Sequence, residues 1–171
     1  VVPQLVQEAL DSHQIELFGV VPFVQKISAP RLRDLIEPLD ATVVRGEELL
    51  MRRVLRPMVL AMHPENALEH LQTGDLIITP GDRSDILMLA HLVEQAVDLP
   101  NLAGVVLTVD YAPHESIMHL IDSQTEGELP ILLVATDTYD TSRLIQSKRV
   151  YIEEDDWQKI RWTVELIEEN L

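Results

Sequence analysis

The sequence predicts an α/β fold: a single domain with a mostly parallel sheet flanked by helices, plus an N-terminal arm. Three segments carry that expectation. Leu76-Ile77-Ile78 runs into Thr79-Pro80-Gly81-Asp82-Arg83, Val105-Val106-Leu107 into Thr108-Val109-Asp110, and Leu132-Leu133-Val134-Ala135 into Thr136-Asp137-Thr138, and a helical pattern follows each one. Short apolar runs that each feed a helix are buried parallel strands. Their carboxyl ends share one edge, the place where open sheets of this kind bind ligands.

Taken in order, residues 4–13 read as a short helix and Glu16–Val21 as a strand ended by Val21-Pro22. Leu32, Leu35 and Ile36 stand at helical spacing within 30–38, and Pro38 closes that helix. Residues 1–40 are therefore expected to be an arm or the tail of another domain, and 41–150 the main domain. Ala41–Val44 reads as its first strand, Glu47–Arg53 as a short helix, and Arg56–Ala61 as an apolar stretch. Pro64 suits the first turn of a helix running to about Leu71. Helices are expected near 83–97, 113–123 and 138–147; in the first, Ile86, Leu89, Ala90, Val93 and Val97 share a face. Residues 151–171 form a packing helix opened by Glu153-Glu154-Asp155-Asp156, whose charges suit the positive end of its dipole. Trp157, Ile160, Val164, Ile167 and Leu171 are expected to be its packing face.

Composition narrows the function. With 29 acidic and 13 basic residues, a net charge of −16 repels phosphate backbones and anionic bilayers, so neither nucleic acid nor membrane is an expected partner. No apolar run approaches a membrane span and no signal peptide is recognisable. The absence of cysteine rules out disulfides and thiolate chemistry. A bacterial cytoplasm fits these features. The chain opens at Val1, which suggests a piece of something longer.

The sharpest motif is Thr79-Pro80-Gly81-Asp82-Arg83-Ser84-Asp85. Pro80-Gly81 makes a turn, Asp82 is placed to cap the next helix, and Asp85 completes a form of capping box. Arg83 faces the positive helix end, so it either pairs with a neighbouring carboxylate or awaits an anion or a partner's carboxylate. Asp137 and Asp140 repeat the capping spacing, with the hydroxyls of Thr136 and Thr138 beside them. Thr108 and Asp110 occupy the middle crossing. Asp82, Asp110 and Asp137 on one edge could hold magnesium for phosphoryl transfer, although all three also suit helix caps. His114-Glu115-Ser116-Ile117-Met118-His119 misses the zinc-protease pattern, because histidines five apart lie about 140° apart around a helix. Neither a nucleophile elbow nor a Walker loop is present.

Ile77 to Ile86, Leu102 to Thr108 and Pro130 to Tyr139, in that order and spacing, resemble the DRTGG domain over about residues 41–150. That domain occurs in the middle of long bacterial phosphate acetyltransferases, in regulated family II pyrophosphatases and, in related form, in HPr kinase. Phe18-Gly19-Val20-Val21-Pro22 looks like the last strand of the P-loop domain that precedes it in the acetyltransferases. The resemblance implies a non-catalytic regulatory or dimerisation module that pairs with itself. The Asp-Arg pair falls on Asp82 and Arg83 and the threonine on Thr108, while Val109-Asp110 stands where the family has two glycines. The expected ligand-binding or interface residues are Thr79, Gly81, Asp82, Arg83, Asp85, Thr108, Asp110, Thr136, Asp137 and Thr138, with Arg83, Thr108 and Asp137 around one crevice. The expected partners are a second copy of the chain and a small anionic metabolite or nucleotide. No catalytic residue, metal or cofactor is assigned. The alternatives are an assembly domain with no small ligand, a magnesium-dependent phosphoryl-transfer enzyme, and a fragment of a phosphate acetyltransferase-like enzyme.

Overall fold

The structure, a computed structural model, describes residues 2–124 and 129–170. The chain forms two compact units: Ala29–Val150, and a second made of Val1–Ser28 with Tyr151–Leu171.

The larger unit is built on five strands: β1 (Thr42–Arg45), β2 (Arg56–Val59), β3 (Asp75–Pro80), β4 (Gly104–Thr108) and β5 (Ile131–Leu133). Their spatial order is β1-β5-β4-β3-β2; β2 through β5 run parallel and β1 pairs antiparallel with β5. The apolar runs are fully buried because helices cover both faces. Ile77, Val105, Leu107 and Ile131 point to one face, under α4 (Pro64–Leu68), α5 (Ser84–Gln95) and α6 (Glu115–Ser123). Leu76, Ile78, Val106 and Leu132 point to the other, under α3 (Arg33–Leu39) and α7 (Thr138–Ser147). A short 3-10 turn, Glu47–Leu49, replaces the longer helix expected there.

Charge pairing fastens the amino ends of the strands. Arg56 on β2 grips the buried Asp75 of β3 through two hydrogen bonds of 2.7 and 2.6 Å, and the same carboxylate accepts from the Gln72 amide at 2.7 Å. Removing Arg56 leaves the buried Asp75 carboxylate with the Gln72 amide alone, a loss between the roughly 0–1 kcal/mol of an exposed pair and the roughly 3–5 kcal/mol of a buried one.

Strand β1 carries a bulge: Val43 faces Leu132 and Arg45 faces Ile131, leaving Val44 as the extra residue. Opposed residues share a face of the sheet, so the bulge turns Arg45 toward the α5 and α6 side, where Ile131 points.

Residues 1–40 divide at Ser28. Leu32, Leu35 and Leu39 are buried on the α7 face of the sheet, so α3 is part of the larger unit. Pro38 lies inside α3 instead of ending it, and a left-handed Asp40 (φ 49°) closes the helix one residue beyond Leu39.

In the second unit, α1 (Val2–Asp11), α2 (Gln25–Ser28) and α8 (Trp157–Asn170) are helical. The strand expected at Glu16–Val21 does not form. A strand needs a hydrogen-bonded partner, and the described residues of this unit supply none. The expected packing face of α8 is also corrected. Trp157, Val164 and Ile167 are exposed, whereas Lys159 is buried and Trp162 half-buried, and Leu171 lies outside the described residues. Lys26 stands 4.7 Å above the Trp162 ring, and Asp156 caps the helix by accepting from the Lys159 amide at 3.1 Å.

Candidate functional site

The connections after β3 and β4 lead to α5 and α6 on one face, whereas the connection after β5 leads to α7 on the other. Chains leaving two neighbouring strands toward opposite faces open a crevice between their carboxyl ends. Here that position lies between β4 and β5, among Thr108, Thr136, Asp137 and Thr138.

The polar groups there fasten to one another. The Thr108 and Thr138 hydroxyls meet at 2.8 Å, as do those of Thr136 and Thr141. The Val109 amide donates to Thr136 and the Asp110 amide to Val134, both at 3.0 Å. Asp137 caps α7 through the Asp140 amide at 2.8 Å, the role its spacing suggests. The switch point between β4 and β5 is therefore closed.

Closure has a conformational cost. Val109 and Asp110 both adopt left-handed backbone, at φ 62° and 54°. A β-branched residue there is an outlier, and non-glycine residues in this region cost on the order of 1–3 kcal/mol each. Glycine takes this conformation without a clash. Val109 and Asp110, which the resemblance sets where the family carries two glycines, thus hold a backbone conformation that favours glycine.

An open cleft lies one strand over, between the loops after β3 and β4. It encloses about 450 Å³ and is lined by Gly81, Asp82, Ser84, Asp110, Tyr111, Ala112 and His114. The loops are clamped together: the Gly81 amide donates to the Thr108 carbonyl at 3.2 Å, and a Cβ at Gly81 would overlap the Tyr111 carbonyl. His114 caps α6 by accepting from the Ser116 amide at 3.3 Å.

Arg83 does not line this cleft. It makes paired hydrogen bonds of 2.8 Å to Asp85 and reaches back to the carbonyls of Met62, at 3.0 Å, and Ala61, at 3.5 Å, beyond β2. Of the two sequence readings, pairing with a neighbouring carboxylate is the one found. Arg83 raises its affinity for the proton through that bond, and the same bond holds the Asp85 carboxyl below its ordinary pKa, against some opposing desolvation. The capping box expected at Asp82 and Asp85 does not form. A turn from Pro80 to Arg83, closed at 3.0 Å, starts the helix one residue late and puts Arg83 at the cap position without a side-chain cap bond.

The sequence-derived residues therefore sort into separate groups. Gly81, Asp82 and Asp110 line the cleft; Thr108, Thr136, Asp137 and Thr138 close the switch point; Arg83 and Asp85 pair on the β2 side. Arg83, Thr108 and Asp137 do not surround one crevice. Thr79 is buried and donates to the Leu60 carbonyl at 3.2 Å. Asp82, Asp110 and Asp137 do not gather, and no group of three or more acidic, histidine or cysteine side chains among the described residues could hold a metal ion. Ser84, Tyr111, Ala112 and His114 are wall residues absent from the sequence-derived set, because the packing of the two loops places them there.

Residues 34–148 match the DRTGG domain family. The phosphate acetyltransferase of Synechocystis sp. is 34% identical over 156 residues, 91% of this chain and 22% of that protein. The Pseudomonas putida enzyme is 32% identical over 162 residues, 95% of this chain and 23% of that one. The chain thus spans less than a quarter of these relatives' length. A crystal structure of the CBS and DRTGG domains from the regulatory region of Clostridium perfringens pyrophosphatase, complexed with the activator diadenosine tetraphosphate, superimposes with a TM-score of 0.55. It covers 95% of this chain and 81% of the other at 18% identity, a likeness of fold. The chain belongs to the DRTGG domain family.

Proposed function

We propose that this chain is a non-catalytic regulatory or dimerisation module of a larger, cytoplasmic, phosphate acetyltransferase-like protein, and that it seats a small nucleotide-like ligand in the cleft between the β3 and β4 loops. The observation that carries the proposal is the lining of that cleft. The carboxylates of Asp82 and Asp110 supply hydrogen-bond acceptors, Tyr111 offers an exposed ring, and Ser84 and His114 add polar side chains. Such a lining suits the hydroxyls, amino groups and flat base of a nucleoside. It repels a bare anion, so any phosphates must lie away from the two carboxylates. The pyrophosphatase complex supports the reading by analogy, since its regulatory region is activated by a dinucleotide.

A second reading is assembly without a small ligand. It is favoured by the ion pair that already occupies Arg83 and by the acidic cleft walls. Calorimetric titration with AMP, ATP and diadenosine tetraphosphate, beside sedimentation of the free chain, separates the two. Binding that falls at least about tenfold in Tyr111→Ala, with melting temperature held within roughly 2 °C, supports a seated nucleoside. A self-associating chain that takes up none of the three at millimolar concentration leaves only assembly.

A further inference from the structure

We propose that Arg45, His91 and Asp122 form an acid-sensitive latch that ties β1 to α5 and α6. His91, in the middle of α5, is 1% exposed. Its Nε2 lies 3.2 Å from the Gln95 amide nitrogen. The other ring nitrogen, Nδ1, takes no part in that contact. That Nδ1 is buried without a hydrogen-bond partner. Burial disfavours the charged ring, and the nearby Arg45 cation disfavours it further, with Asp122 opposing; these are the two charged groups acting on the ring among the described residues. Gln95 is its neighbour on its own helix.

Arg45 reaches this place because of the β1 bulge. From there its Nε makes a 3.1 Å ion pair with Asp122 near the end of α6, while its Nη1 is also buried without a partner. The charges that act on the α5 imidazole therefore come from a cation on β1 and from a carboxylate on α6 that is more than half exposed. Protonating the imidazole makes the buried Nδ1 a charged donor with no acceptor and adds a second cation within the field of Arg45. Asp122 is too exposed to neutralise both. The sign follows from the lowered proton affinity of the folded state. Stability is intact above the ordinary histidine range, near 6.5, and is lost as pH falls below it. The expected result is release of β1 and α6 from α5.

Hydrogen exchange, corrected for intrinsic rates, tests this from about pH 7.5 to about pH 5. Protection of residues 42–45 and 115–123 in the unaltered chain should fall roughly tenfold, while β4 stays protected. His91→Gln should flatten that dependence. If His91→Gln does not fold, Arg45→Met should reduce the acid fall, since one of the two cations is gone. Constant protection in the unaltered chain, or an undiminished fall in a folded His91→Gln or in Arg45→Met, overturns the proposal.

Discussion

The switch point between β4 and β5 and the cleft between the loops after β3 and β4 are neighbours on one sheet edge, yet they have opposite fates. At the switch point, paired threonine hydroxyls and two cross-loop amide bonds tie the polar groups to one another. One strand over, two loops clamped at Gly81 hold open about 450 Å³ between carboxylates and an exposed tyrosine. Topology marks where a ligand could sit, but local hydrogen bonding decides where space remains.

Gly81→Ala should break the comparison most severely. Its Cβ would drive the Tyr111 backbone away and distort the cleft wall. A loss of about 3 kcal/mol is expected from such overpacking, or a fall in melting temperature of roughly 6–12 °C measured by calorimetry. Thr108→Val tests the closed side. It keeps the shape, removes the hydroxyl that meets Thr138 and should cost about 1 kcal/mol in urea denaturation, leaving ligand uptake in the neighbouring cleft unchanged. Val109→Gly should move stability the other way. It relieves left-handed strain and should raise the melting temperature by roughly 2–4 °C, an effect that fails to appear if Val109 packing outweighs the strain.

The smallest effect belongs to the Arg83–Asp85 pair, which is partly exposed. Its lowered carboxyl pKa makes the contribution present above the ordinary carboxylate range and lost as pH falls through the lowered value. Asp85→Asn should therefore cost at most roughly 0.5 kcal/mol at neutral pH, and nothing once the unaltered carboxyl is protonated in acid. A pH-independent difference between the two chains would assign the loss to something other than the ion pair.

The sheet was legible because its runs are short, apolar and punctuated: Leu76-Ile77-Ile78 lies inside β3, and the helix expected at 138–147 forms over those residues. What escaped depended on partners far along the chain. Glu16–Val21 has strand-like composition and nothing to pair with among the described residues of its unit, and the α8 stripe gives no sign of which face turns inward. At the site, Asp137 was legible as a cap because capping is local. Asp82 was not, since the Pro80–Arg83 turn shifts the helix start by one residue. Tyr111 and His114 could not be ranked as wall residues from sequence, because the packing of two loops places them there.

The most direct test of the ligand seat is a backbone amide NMR titration with AMP. The amides of Gly81, Asp82, Tyr111 and His114 should shift together in saturable fashion, while those of Thr136 and Thr138 barely move. Saturable shifts centred on Thr136 and Thr138, or none anywhere at millimolar nucleotide, would contradict it.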